Sequence, residues 1–272
     1  METRSYITRL FIVSSIIPGL FACQKKDYDN SYTVFGHAYF KNQTTVTGND
    51  FGVKYEGSTV DYNTGSGGVE LPEGEGTFTF YNKKTGVVIA ERKATVSKAN
   101  PPHYILFQPL PDLPVSFLDP NAQANEQAAP PGYMKLRIAN MSQVAIPDKK
   151  IDIVVQSTVV SAVKFAPVDT IKAVGRDLGE AGYVLVKRGV RAGAIQTRYR
   201  FSFLDAATKQ PLPAASGAAF TNNTDFATSS FPGAVKGIFT IYLTDVVKTT
   251  NTVFLKRDNA YYDIQPNVLF ND

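Results

Sequence analysis

The sequence predicts an all-β protein: two tandem Ig-like antiparallel β-sandwich domains behind an export signal. Three observations predict it. The chain carries 14 Tyr, 18 Phe, 20 Gly and 16 Pro, with abundant Val and Thr, and no segment holds a helical period for any length. Short apolar runs recur between Gly, Pro and Asn clusters, the pattern of a strand-rich sandwich. The first 23 residues join a basic head (Arg4, Arg9), an apolar run from Leu10 to Ala22, and Cys23, the only cysteine, which is the layout of a secretory signal.

The end of that signal is specific. Leu20-Phe21-Ala22-Cys23 resembles the lipobox of bacterial lipoproteins: an apolar residue three places before Cys, a small residue just before it, then Cys. Phe21 is bulkier than the usual residue at its place. The resemblance implies that residues 1–22 are a lipoprotein signal peptide and that Cys23 carries acyl chains. A membrane-spanning helix is the poorer reading. Roughly 13 residues fall short of the ~20 a span requires, and Ser14, Ser15, Pro18 and Gly19 interrupt them. Buried acyl carbons contribute about 0.8 kcal/mol each, so two or three chains hold a protein on a membrane almost permanently. Residues 23–30 then form a lipidated tether. By the same resemblance, Gln24 rather than Asp favours the outer membrane. Lys25-Lys26-Asp27 is similar to the charged tethers of Bacteroidetes surface lipoproteins. The expected location is therefore the outer membrane, lipid-anchored, at the cell surface, with the periplasmic face as the alternative. With a single cysteine the fold forms no internal disulfide and relies on core packing.

The formal charge is +4, and loss of Arg4, Arg9 and Glu2 with the signal lowers it to +3. That is too small to suggest nucleic acid. Lys83-Lys84, Lys149-Lys150 and Lys187-Arg188 are isolated pairs at expected turns.

The N-terminal β-sandwich domain is expected over residues 31–108. Ser31 to Phe40 reads as its first strand, with Thr33, Phe35 and His37 on one face. A turn at Gly48-Asn49-Asp50 leads to the short strand FGVKYEG, and Ser58 to Tyr62 is another. The Gly-rich run 63–68 lacks the GxxxxGK[ST] order of a phosphate loop. Gly76 to Tyr81 and Val87 to Val96 flank Asn82-Lys83-Lys84-Thr85-Gly86, a hairpin signature that sends Phe78 and Phe80 to the core. His103 to Phe107 closes the unit. Residues 109–132 hold six prolines, which deny the ladder its N–H groups. They read as a semi-extended linker in which Val115 to Leu118 packs on one of the domains.

The C-terminal Ig-like β-sandwich domain spans 133–272. Met134, Leu136 and Ile138 alternate with Lys135, Arg137 and Ala139 as a half-buried strand. Ile151 to Val155, Val159 to Phe165, Val168 to Val174 and Gly182 to Lys187 follow. Thr197 to Leu204 turns Tyr199, Phe201 and Phe203 inward. Residues 211–234 show no strand pattern, and a connection of that length is either disordered or functional. Gly237 to Thr244, Thr252 to Lys256, Ala260 to Ile264 and Val268 to Phe270 finish the sheets. The two halves echo each other. Gly68 to Gly74 followed by TFTFYNKKTGVVIAE matches Gly182 to Gly189 followed by RYRFSFLDAATKQPL, and HYILF matches GIFTIYL.

One further resemblance concerns the second half. LRIANMS, KKIDIVV, GEAGYVLVKRG and GIFTIYLTD resemble the bacterial surface-lipoprotein domain called domain of unknown function 4397. Its pattern falls on Asn140 to Ser142, Asp152, Tyr183 to Gly189, and Phe239-Thr240. Phe239 stands where Tyr is common, and residues 211–234 are a long insertion. The resemblance covers residues 133–245 well and 31–108 poorly. It implies an Ig-like sandwich at a bacterial surface and implies no activity.

No residue set amounts to an active site. His37 and His103 are the only histidines, too few for a zinc site without carboxylates, and no G-x-S-x-G elbow exists. No cofactor, metal or catalytic residue is expected. Asp152 interrupts an apolar strand. It reads as a solvent-face residue beside Val154, with a calcium or ligand contact as the alternative. The expected function is a non-catalytic structural, adhesive or protein-interaction module. The alternative is a carbohydrate-binding surface lipoprotein of a nutrient-uptake system. The partner is then the membrane through Cys23, plus a protein or a glycan. Tyr55, Tyr62, Phe220, Phe226 and Phe231 are the candidate ligand contacts.

Overall fold

A computed structural model describes residues 33–62, 68–147, 149–158, 164–178, 181–191, 194–195, 198–231, 233–249 and 251–272. The expected signal peptide, Cys23, the expected tether and the expected strand residues 159–163 lie outside them. The described chain is all-β, folded into two sandwiches.

In the first, β4 (Gly68–Pro72), β1 (Phe35–Gln43), β7 (His103–Phe107) and β8 (Ser116–Leu118) form one sheet in that order. The facing sheet runs β3 (Ser58–Val60), β2 (Phe51–Tyr55), β5 (Gly74–Asn82) and β6 (Val88–Val96). Alternation along β1 and β5 sends Ala38, Phe40, Phe78 and Phe80 between the sheets, where they meet Phe51, Val53 and Leu106. Phe40 sits edge-on to Phe78 at 4.8 Å and to Phe80 at 4.9 Å, each pair adding about 0.5–1.5 kcal/mol beyond burial. Gly36 also faces inward. A Cβ there would come within 2.7 Å of the Ser97 carbonyl carbon, so the end of β6 closes onto β1 only over a glycine. Part of the expected linker belongs to this sandwich. Val115 and Phe117 pack on its core, and β8 pairs with β7, so the module runs on past residue 108. Pro114 precedes the strand, where a missing N–H does no harm.

The second sandwich places β12 (Val184–Lys187), β9 (Tyr133–Asn140), β17 (Ile238–Lys248), β19 (Ala260–Asn271) and β18 (Leu255–Arg257) in one sheet. The other holds β11 (Phe165–Val174), β10 (Ile151–Thr158), β15 (Arg198–Asp205) and β16 (Phe226–Ala227), with β13 (Val190–Arg191) and β14 (Ala194–Ile195) as a small hairpin apart. Tyr199, Phe201 and Phe203 are fully buried, as their alternation predicts. Burial raises the Tyr199 hydroxyl pKa to about 12, against the opposing pull of the Arg188 charge and a Gly189 backbone bond. Residues 260–271 form one strand where two were expected. Pro266 lies beyond the span that β18 covers, on the half of β19 that pairs with β17 alone. Proline is tolerated on such an edge.

The two halves share one strand order. With the β13–β14 hairpin set aside, in each the first strand lies between the fourth and the seventh, and the second lies between the third and the fifth, with the sixth outside; beyond the seventh comes β8 in the first half and β19, then β18, in the second. In each, the first strand pairs parallel with the seventh, β1 with β7 and β9 with β17, an exception to the otherwise antiparallel pairing. Immunoglobulin domains keep their first two strands in one sheet, so the likeness to them is one of architecture. The segments that echo each other in sequence are the equivalent strands: β4 with β12, β5 with β15, and β7 with β17.

The sandwiches meet through the outer faces of their first sheets. Ile105, Phe107 and Leu269 are buried there, with Leu118, Leu178, Tyr242 and Phe270 around them. The Phe107 and Tyr242 rings lie 5.1 Å apart. Tyr242 donates its hydroxyl to Gln43 Oε1 at 3.2 Å, and burial raises its pKa.

Candidate functional site

The parallel pairings align the modules residue by residue: Asn42 lies opposite Leu106 and Asn140 opposite Leu243. Asn42 therefore matches Asn140, and Thr44 matches Ser142. In both, the Asn side chain accepts a backbone N–H two residues on, Thr44 at 3.0 Å and Ser142 at 3.1 Å. Its amide then donates to a carbonyl further along, Val46 at 2.7 Å and Ile146 at 2.9 Å. The following hydroxyl accepts the Val46 N–H in one module and the Ile146 N–H in the other. Gln108 and Asp245 also match by register. Gln108 accepts from Thr45 Oγ1 at 3.1 Å. Asp245 accepts from Ser142 Oγ at 2.6 Å and from the N–H groups of Gln143, Val144 and Ala145 at 2.8–3.1 Å. The Asn-x-Ser/Thr pattern is thus a loop staple. Asn140 is fully buried and its polar groups are engaged in holding the loop.

Asp152 shares the outer face with Val154, as read from the sequence, but it is not solvated: it is 2% exposed. Its carboxylate accepts the Ala173 N–H at 2.9 Å and the Lys209 ammonium at 2.8 Å. A bulge between Ile151 and Ile153 puts Ala173 at φ +53°, in the left-handed region, and the Asp152 bond holds that turn. Burial pushes the carboxyl pKa up. The bonds from Lys209 and Ala173, with the charges of Lys209 and Lys172, outweigh burial and hold it below the ordinary value.

The five aromatic residues singled out as ligand contacts do not come together at a surface. Tyr62 is buried and donates to the Phe40 carbonyl at 2.5 Å. Tyr55 is half-buried against Phe78 at 4.9 Å, over Gly76, where a Cβ would meet its ring at 2.3 Å. Phe220 and Phe226 are core residues, and Phe231 packs against the same core. Segment 211–234 is ordered where described. Asn222 accepts the Phe201 N–H at 2.7 Å, Asp263 accepts the Asn223 N–H at 3.0 Å, and Asp225 pairs with Arg198 and Arg200. This stretch closes one side of the second core.

A different set of rings is exposed. Along the outer face of β1 lie Phe35, 49% exposed, exposed His37, and half-buried Tyr39, with exposed His103 beside Tyr39 on β7. His37 and Tyr39 have ring centroids 6.1 Å apart and planes within 28°. Tyr39 and His103 are 5.7 Å apart. Glu70 pairs opposite His37, and Gly68, without a side chain, opposite Tyr39. The sequence placed both histidines on strands. It did not bring them to one face, because that needs the parallel register of β1 with β7.

Other concavities are shallower in chemical content. A cleft of ≈ 460 Å³ is lined by Lys150, Lys172, Arg176 and Asp177 among backbone of the β11 end. One of ≈ 330 Å³ lies at the module junction beside Gln43, Gln108, Tyr242 and Asn267. Among the described residues, no group of three or more His, Cys, Asp or Glu is placed to hold a metal ion, and no helix is long and apolar enough to cross a membrane.

No family model and no curated protein matches the chain. Among solved structures it is similar to a product complex of a multi-modular glycogen-degrading pneumococcal virulence factor, at 11% identity and a TM-score of 0.22, over 85% of this chain and 26% of that one. So slight a likeness carries no argument about function, and the chain spans only about a quarter of that protein's length.

Proposed function

We propose that this protein is a non-catalytic, lipid-anchored outer-membrane protein. Its tandem sandwiches, of the domain of unknown function 4397 type, serve as structural or adhesive modules at the cell envelope. The observation that carries the reading is the junction. Phe107 and Ile105 of one module are buried against Tyr242, Leu269 and Phe270 of the next, and the connecting segment is bonded down along its length. Ala129 N–H donates to Lys236 O at 2.8 Å, Lys236 Nζ donates to Ala124 O at 2.7 Å, and Gln123 is buried between Thr240 and Tyr183. Two modules held as one stiff body suit a part that presents a surface at a set distance from a membrane. Its polar constellations (Asn140, Ser142, Asp245, Asp152) hold loops, which fits a scaffold.

The test is lipid incorporation. Cells expressing the wild-type chain take labelled palmitate into this protein, which fractionates with the outer membrane, and Cys23→Ala abolishes both. Absence of label in the wild type overturns the anchored reading. The glycan alternative finds no support at Tyr55, Tyr62 or segment 211–234, whose rings pack inward. The exposed ring strip on β1 and β7 favours it instead.

A further inference from the structure

We propose that the open half of the outer face of sheet β4-β1-β7-β8 binds an extended carbohydrate chain, laid along Phe35, His37, Tyr39 and His103. This deepens the glycan reading and is independent of the lipid anchor.

The face has two halves. Toward the module junction, Ile105 and Phe107 on β7 are buried against the second sandwich. Away from it, the same face continues as the ring strip, with Phe35 49% exposed and His37 and His103 exposed. The strip is thus continuous with an established interface but lies outside it. The matching half of the second module is not open. By register Arg137 matches Tyr39 and Thr240 matches His103. There the connecting segment crosses the face, with Gln123 Oε1 accepting from Thr240 Oγ1 at 2.7 Å and from Tyr183 OH at 2.9 Å. That covering segment is a run of tight turns from Asp119 to Glu126. The second module thus closes this face with its own chain, and no described residue covers its counterpart in the first.

The chemistry of the strip selects a sugar. Residues 35, 37 and 39 project at two-residue spacing, about 6.6–6.8 Å apart along a strand, and His103 widens the row. The faces of aromatic rings attract the slightly positive C–H groups of a pyranose face. Between the rings stand groups suited to hydroxyls: the His37 and His103 imidazoles and the Tyr39 phenol as donors or acceptors, and the Glu70 carboxylate as an acceptor. Gly68 beside Tyr39 leaves the ring's flank clear of a side chain. A stable protein interface engages about 20–30 residues a side. A strip of four rings, one to two strands wide and interleaved with Glu70 and Lys41, is too narrow and too polar for that.

The test is affinity electrophoresis of the full mature chain in native gels containing, in turn, soluble β-glucan, α-glucan, xylan and mannan. Retardation by at least one polymer is expected. The Phe35→Ser/His37→Ala double variant, which alters only exposed rings, weakens it about tenfold, at roughly two- to fivefold per ring. Tyr39→Ala weakens it roughly two- to fivefold, while Lys84→Ala, in the turn that joins β5 and β6 of the opposite sheet, leaves it unchanged. Thermal melting of each variant confirms that the fold is kept. No retardation by any of the four polymers, or full retardation of the double variant, overturns the proposal. So does protection of His37 and His103 from diethyl pyrocarbonate in the unliganded chain, since the face is then covered by protein. Binding persists in Cys23→Ala, so failure here and failure of the lipid label are read separately.

Discussion

Asp245 shows how much structure a single carboxylate holds in this protein. It stands at the end of a parallel strand pair, where the loop after β9 leaves three successive N–H groups without ladder partners, and it accepts all three together with the Ser142 hydroxyl. An uncharged Gln108 occupies the matching position in the first module and reaches Thr45 and the Leu113 carbonyl instead. Asp152 does similar work at a bulge, with a testable consequence. Its folded pKa lies below the value of about 3.9 expected when unfolded, so its contribution is fully present above about pH 4 and is lost as pH falls through the folded pKa. Urea midpoints at pH 7 and pH 3 should therefore fall further for wild type than for Asp152→Asn. An equal fall in both removes Asp152 from the acid response, leaving groups such as Asp205, whose pKa is also lowered, chiefly by the Thr208 and Ala207 N–H groups.

At the scale of elements, the strands protect their own edges. β6 is a long edge strand, and its Arg92 points inward over Tyr104 and Phe117 at 5.0 and 5.4 Å. An inward charge on an edge discourages pairing with another chain. β11 carries Pro167 and two bulges, and β3, β8, β16 and β18 are two or three residues long. Adhesion by strand addition is poorly served at these edges. The connecting segment is an element in its own right. Gln123, 3% exposed, fastens it to β17. Gln123→Ala should lower stability by about 1–2 kcal/mol and speed proteolytic cutting between residues 119 and 131. Unchanged cutting would show that the Lys236 bonds to Ala124 and Ala129 and the Lys135–Glu126 ion pair at 3.5 Å hold the segment without it. Composition alone read these residues as a linker because prolines forbid a ladder. They do not forbid docking, which side chains such as Gln123 decide.

For the whole molecule, the decisive feature is that two equivalent sheet faces pack on each other. Phe107→Ala together with Tyr242→Ala removes the rings at the centre of that contact. Truncating a buried ring costs about 3–5 kcal/mol, here taken from the junction rather than from either core. The wild type should unfold in one calorimetric transition. The double variant should show two, with a larger radius of gyration by X-ray scattering. A single unshifted transition would mean that the connecting segment alone couples the modules.

The sequence by itself determined the all-β sandwiches, the inward Phe78, Phe80, Tyr199, Phe201 and Phe203, and the echo between the halves. These are local properties: alternation and turn chemistry act over a few residues and need no distant partner. What only the tertiary structure decided are the burial of Asp152, the docking of the connecting segment, the inward packing of Phe220, Phe226 and Phe231, and the meeting of the His37–Tyr39 row with His103. Each depends on contacts between separate segments of the chain: β10 with Ala173 and Lys209, β17 with the segment before β9, β15 with residues 211–234, and β1 with β7. Periodicity tells which face a side chain takes. What covers that face is set by long-range register, which no local pattern encodes.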